Sequence, residues 1–102
     1  MKKKVIILPE AENDIDEIKD AIISISCSQR IAEDYADNLR AELISLSTYG
    51  SSLAFYTRRN ITNRYGIFIR RANTKNKKIA ILYYVESEYI IVKKIVWANS
   101  IE

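Results

Sequence analysis

Two apolar stripes at helical spacing, joined by a few polar residues, constrain this chain more than any other feature. The first is Ala11, Ile15, Ile18, Ile22 and Ile25, with successive spacings of four, three, four and three. The second is Ile31, Tyr35, Leu39, Leu43 and Leu46, with Ala32 and Ala36 permitting a close neighbour. The link between them, SCSQ, is short, so the pair predicts an antiparallel helical hairpin. Neither stripe can stay in water, and a sheet is the cover they need.

The ends of both helices carry their own signals. Pro9 suits a first helical position, where its missing N–H costs nothing. Glu10, Glu12, Asp14 and Asp16 complement the positive end of the helix dipole, and the pattern continues to about Ser26. Ser28 is the expected N-cap of the second helix and Gly50 its expected stop. At ~1.5 Å per residue the second helix should be about 30 Å long.

Strands flank this hairpin. KVIIL over 4–8 is rich in β-branched residues and ends at Pro9. After Gly50 the stretch GSSLAFYTRRNITNRYG reads as irregular and contains Arg58, Arg59 and Arg64. GIFIRRA (66–72), IAILYYV (79–85) and YIIVKKIV (89–96) then read as three strands. Only Glu86, Ser87 and Glu88 separate the last two, which predicts a hairpin within an antiparallel meander. The expected architecture is α+β, in the order β-α-α-β-β-β. A helical hairpin packs on a small, mainly antiparallel sheet, and residues 1–102 form a single domain.

Composition narrows the chemistry. With 48% hydrophobic and 28% charged residues the chain is an ordinary globular protein rather than a disordered one. No apolar run approaches the ~20 residues that span a bilayer, so no membrane partner is expected. The start, MKKKVIIL, has too short an apolar run for a secretory signal, and Cys27 has no intrachain thiol to pair with. A reducing, cytoplasmic location is therefore expected. The absence of histidine removes Ser-His and Cys-His hydrolase mechanisms and most zinc sites, and neither a metal nor a cofactor is expected.

The charge is unevenly distributed. Residues 1–50 hold six Lys/Arg against ten Asp/Glu, a net of −4. Residues 51–102 hold ten against three, a net of +7, and the two halves make the +3 of the whole chain. One half is thus suited to an anionic partner. The densest cationic stretch is RRANTKNKK, from Arg70 to Lys78.

Three stretches in order, VIILPEAENDIDEI, RIAEDYADNLRAELISL and IAILYYVESEYIIVKKIVWA, resemble the RelE/ParE superfamily of toxins. These belong to type II toxin–antitoxin modules, several of which serve plasmid stabilisation. The resemblance lies in the Pro-Glu-Ala after the first strand, in Ala32, Leu39 and Leu46 of the second helix, and in the closing hairpin. The long helices are closer to the ParE-like branch. What this implies is a growth inhibitor, neutralised by a cognate antitoxin in a hetero-oligomer, that binds a target such as DNA gyrase. The RelE-like alternative is a ribosome-dependent mRNA endoribonuclease with a rearranged active site. A third is a non-toxic nucleic-acid-binding module of the same fold.

RNA cleavage needs a base for the 2′-OH, a cation for the phosphorane-like charge and an acid for the leaving oxygen. At the positions that match the nuclease branch this chain has Gly66, Phe68 and Ala80, then Trp97, Ala98, Asn99 and Ser100 at the end. The expected set is absent, and the enzymatic reading recedes. Arg71, as a phosphate holder, and Tyr84, as a proton donor, are the relocated catalytic candidates. Tyr83 reads as core beside Ile79, Ile81 and Val85.

Arg58, Arg59, Arg64, Arg70 and Arg71 are the candidates for contact with a target or nucleic acid, because a guanidinium grips phosphate or carboxylate bidentately. Arg70 and Arg71 should point to opposite faces of their strand, at its end. Lys75, Lys77 and Lys78 read equally well as steering charges or as a solvated turn. Lys93, Lys94 and Trp97 are candidates for contact with an antitoxin, with Ile101 as a further apolar contact. The two lysines should again fall on opposite faces, one snorkelling past the helices.

Overall fold

The structure, a computed structural model, describes residues 3–100. The predicted order is present with one addition. Strand β1 (Lys4–Ile7) leads into helices α1 (Pro9–Ser26) and α2 (Gln29–Tyr49), followed by a 3₁₀ turn, Gly50–Ser52. A short helix, α3 (Arg59–Tyr65), then precedes β2 (Arg70–Asn73), β3 (Ile79–Glu86) and β4 (Tyr89–Trp97). A last 3₁₀ turn spans Ala98–Ser100. The strands form one sheet in the order β1-β4-β3-β2, antiparallel except for the parallel β1–β4 pair.

The helical hairpin forms for the reasons its sequence carries. Pro9 opens α1, and the Ser28 hydroxyl caps α2 by accepting from the Ile31 N–H at 3.2 Å. Between them Cys27 adopts a left-handed conformation (φ 55°) and donates its N–H to the Ile23 carbonyl, closing α1 without a glycine. The stripes fade toward the tip. Ala11, Ile15 and Ile18 are buried, Ile22 is half-buried, and Ile25 is 81% exposed because the hairpin tip has no strand beneath it. Likewise Ile31 is exposed, and the buried face of α2 begins instead with Ala32 and Ala36. Farther along it continues through Leu39, Leu43 and Leu46 as expected.

Gly50 ends α2 for a different reason from the one predicted. Its backbone is right-handed (φ −58°) and the chain runs straight into the 3₁₀ turn. What requires glycine is space, since a Cβ here would lie 2.6 Å from Ile90 Cδ1 and 3.4 Å from the Tyr83 ring. Tyr83 is fully buried and donates its hydroxyl to the Gly50 carbonyl at 2.7 Å. That hydrogen bond ties the end of α2 to the middle of the sheet.

The main core lies between the hairpin and one face of the sheet, where Ile79, Ile81 and Tyr83 of β3 meet Ile90, Val92 and Ile95 of β4. The jump from Val92 to Ile95 marks a β-bulge. Leu82 registers with Lys94 but Tyr83 with Val92, so Lys93 is the extra residue of β4. Without it, strict alternation would point Lys94 beneath the helices beside Val92.

Three expectations are corrected here. The stretch 59–65 is a helix, not irregular loop, so Arg59 and Arg64 are helical and Arg58 is its N-cap residue. The strand expected at 66–72 begins only at Arg70, because Gly66 (φ 107°) and a turn at Ile67 and Phe68 precede it. Arg70 and Arg71 therefore start the strand rather than end it. Finally, Lys93 and Lys94 do not straddle the sheet, because the bulge puts both on the face away from the helical hairpin.

Candidate partner-binding face

The sheet has a second face, opposite the hairpin, and it is only partly covered. Ile61 of α3 and Ile69 pack on Leu82 in a small separate cluster, with Tyr56, Tyr65 and Tyr84 half-buried around it. α3 attaches through Ile61 and Tyr65, spaced four apart, and its remaining side chains turn outward. Arg58, Arg59 and Arg64 are all exposed. Arg64 lies over the Tyr65 ring at 5.5 Å, and none of the three has a carboxylate partner among the described residues.

Arg70 and Arg71 do point to opposite faces, since they register with Tyr83 and Leu82 respectively. Arg70 Nη1 donates to the carbonyls of Ser51 and Leu53, each at 2.7 Å, and its guanidinium stacks over Phe55 at 4.6 Å. It braces the 51–55 segment against the start of β2, where Phe55 bridges Arg70 and the Tyr56 N–H reaches the Ile69 carbonyl. Arg71 lies on the open face. Its Nε donates to Asn73 Oδ1 and its Nη1 to the Tyr56 hydroxyl, both at 3.1 Å. Tyr84 lies on the same face, two residues along β3 from Leu82, the register partner of Arg71. The two candidates for catalysis thus share a surface, a cross-strand diagonal of roughly 7–8 Å apart at their backbones.

Both lysines of β4 reach this face and meet different fates. Lys94 wraps the strand edge and donates to Asp14 Oδ1 at 2.7 Å, with Glu10 at 3.5 Å. Asp14, buried in α1, also accepts the Ile95 N–H at 2.9 Å. Its carboxylate occupies the edge of β4 beyond the end of β1, where the next strand would stand. The hydrogen bond to Asp14 raises the Lys94 pKa above its ordinary value, against the opposing effect of burial. Lys93, in contrast, has no acid partner among the described residues. It lines a cleft of about 200 Å³ with Tyr65, Gly66, Phe68, Ile69 and Tyr84.

Trp97, the third residue expected to contact an antitoxin, registers with Ile79 and packs half-buried against the main core. Ile101 lies outside the described residues. The lysine turn after β2 is docked rather than free, because the Lys75 N–H donates to Glu42 Oε1 of α2 at 2.7 Å. Thr74, buried, closes the turn with a backbone N–H to the Ile79 carbonyl at 3.0 Å. The side chains of Lys75, Lys77 and Lys78 remain exposed. Ala80, the position at which the resemblance implied a cation in the nuclease branch, is fully buried. Burial pushes the Tyr83 hydroxyl up to about 12, with the nearby Arg70 charge opposing, so it holds its proton.

The residues that sequence reasoning missed are apolar. Phe55, Ile67 and Phe68 are 49%, 69% and 64% exposed, and the two phenyl rings meet edge to face at 5.9 Å. Exposed aromatics clustered with unpaired cations mark a contact surface better than either does alone. The signal for α3 was present as Ile61 and Tyr65 at helical spacing before Gly66. The signal for Asp14 was an acid set within the apolar stripe, three residues after Ala11 and four before Ile18.

No protein-family model matches this chain, and no curated protein sequence matches it either. Among solved structures it is similar to a chain of the chromosomal ParDE TA system from P. aeruginosa, with a TM-score of 0.76 and 12% identity. The match covers 94% of this chain and 96% of that one. The fold is therefore ParE-like, as the resemblance in sequence implied.

Proposed function

We propose that this chain is the toxin of a type II toxin–antitoxin pair, a growth inhibitor silenced by a cognate antitoxin. It acts by gripping a macromolecular target such as DNA gyrase rather than by cutting RNA. The observation that carries this reading is the end-to-end ParE-like fold, whose open sheet face presents arginines and aromatics. Gly66, Phe68 and Ala80 stand where the nuclease branch places its cations, and Tyr83 keeps its proton.

The endoribonuclease reading has one observation in its favour. Arg71 and Tyr84 share the open face, with the Tyr56 hydroxyl on the guanidinium. Both readings are tested by inducing expression and following growth, then assaying purified protein against gyrase supercoiling and mapping cuts in cellular mRNA. Growth arrest with lost supercoiling and intact mRNA is expected. Codon-phased cuts would move the assignment to the nuclease branch, and unimpaired growth would overturn both.

A further inference from the structure

The open face is not uniformly bare. α3 covers the Leu82 end, while at the other end a row of side chains crosses three strands, Ile6 on β1, Ile91 on β4 and Tyr84 on β3. At strand spacing this row is about 10 Å wide. Ile6 is 39% exposed, Tyr89 beside it 42%, and the row runs into the cleft formed by Tyr65, Phe68, Tyr84 and Lys93. A surface of this kind is matched by apolar side chains on a partner.

Charge selects the partner. Lys93 lines the cleft, Arg64 lines a neighbouring pocket that shares Tyr65, Arg58 and Arg59 stand at the far N-terminal end of α3, and none of the four has an acid partner within the described residues. Lys94, displaced to the same face by the bulge, is neutralised by Asp14. One cation in the apolar cleft and three more along α3, none facing an acid among the described residues, favour carboxylates on whatever fills it.

We propose that the Phe68–Tyr84–Lys93 cleft receives an apolar side chain from an acidic segment of the antitoxin, whose next residues lie along the Ile91–Ile6 row. This rests on the toxin–antitoxin reading above and extends it to a site. It moves the antitoxin contact from Lys94 and Trp97, which are engaged in the fold, to Lys93 and the aromatics around it.

The test uses ¹⁵N-labelled full-length chain titrated with a synthetic 14-residue peptide that alternates Glu with Leu and Phe. Amide resonances of Phe68, Tyr84, Ile91 and Lys93 should shift in a saturable manner. Phe68→Ala should weaken binding about tenfold and Lys93→Glu about fivefold, the latter erasing most of the salt dependence. Ile25→Ala, at the exposed hairpin tip, should change nothing. Shifts confined to the α1–α2 surface, or no shifts at all, would overturn the proposal. So would a single-stranded 12-mer DNA that moves these resonances when the peptide does not. Growth arrest on induction is read separately. Arrest without peptide shifts removes this site alone, and shifts without arrest support the site while removing the toxin reading.

Discussion

The two faces of the sheet are built to different standards. Under the helical hairpin, fourteen buried side chains among the described residues interlock from Ala11 to Ile95, and the acids nearby are used internally. Asp14 closes a strand edge, Glu12 grips Arg40 in a bidentate pair at 2.8 and 2.9 Å, and Glu42 holds the β2–β3 turn. On the opposite face three buried residues hold α3, large apolar side chains stay in water, and Arg58, Arg59, Arg64 and Lys93 have no acid partner among the described residues. The first face supplies the stability and the second accepts a deficit of packing. That division is what a protein needs if its second face is finished by a partner.

Substitutions on the two faces should therefore separate cleanly. The largest effect is expected for Leu43→Ala, fully buried in the main core, at about 3 kcal/mol and roughly 15 °C in Tm by calorimetry. A loss below about 1 kcal/mol there would break the comparison. Asp14→Ala should follow at about 2–3 kcal/mol, since it strands both the Ile95 N–H and the Lys94 ammonium. Amide exchange at Ile95 should accelerate in that variant, a local effect that simple loss of helix propensity would not produce.

Alkaline titration probes the hydrogen bond between the faces of the core. The folded-state pKa of Tyr83 is about 12, above the ordinary value near 10, so the folded state holds one more proton between them. Its contribution is present below about pH 10 and is lost as pH rises toward 12. Tyr83→Phe should flatten that part of the stability profile.

At the acid end, the hydrogen bond from Arg40 lowers the Glu12 pKa below its ordinary value. That contribution is present above the unfolded-state pKa and disappears as pH falls through the folded one. Arg40→Gln should remove this acid dependence by lowering stability at neutral pH by the same amount, below about 1 kcal/mol because both side chains are about two-fifths exposed. The smallest effects belong to the open face. Arg64→Ala and Phe68→Ala should stay within about 0.5 kcal/mol in thermal unfolding. A larger loss would mean that this face is structural after all.

The sequence was most legible where neighbours in the chain are neighbours in space. Pro9 and Ser28 are helix-end signals, and the Leu39–Leu43–Leu46 stripe is a local periodicity, so all three were readable and all three are found. Legibility fell wherever a position depends on what lies opposite. Ile25 and Ile31 fit their stripes perfectly but overhang the sheet, and Gly50 is glycine because Ile90 and Tyr83 crowd it. The candidate site suffered most. Its arginines were visible as composition, whereas the exposure of Phe55 and Phe68 and the internal use of Arg70 follow from where α3 and the 51–55 segment settle.

Apart from α3, the sequence alone determined the element types, their order and the acidic–basic division of the chain, because helical and strand periods and charge are properties of consecutive residues. Tertiary structure decided which of those charges remain available. One extra residue in β4 turned Lys94 away from the core and toward Asp14, leaving Lys93 unpaired beside Phe68 and Tyr84. Burying a lysine beneath the helices would cost far more than a bulge, and that difference, arising only when strands and helices meet, selects which lysine is left without an acid partner among the described residues.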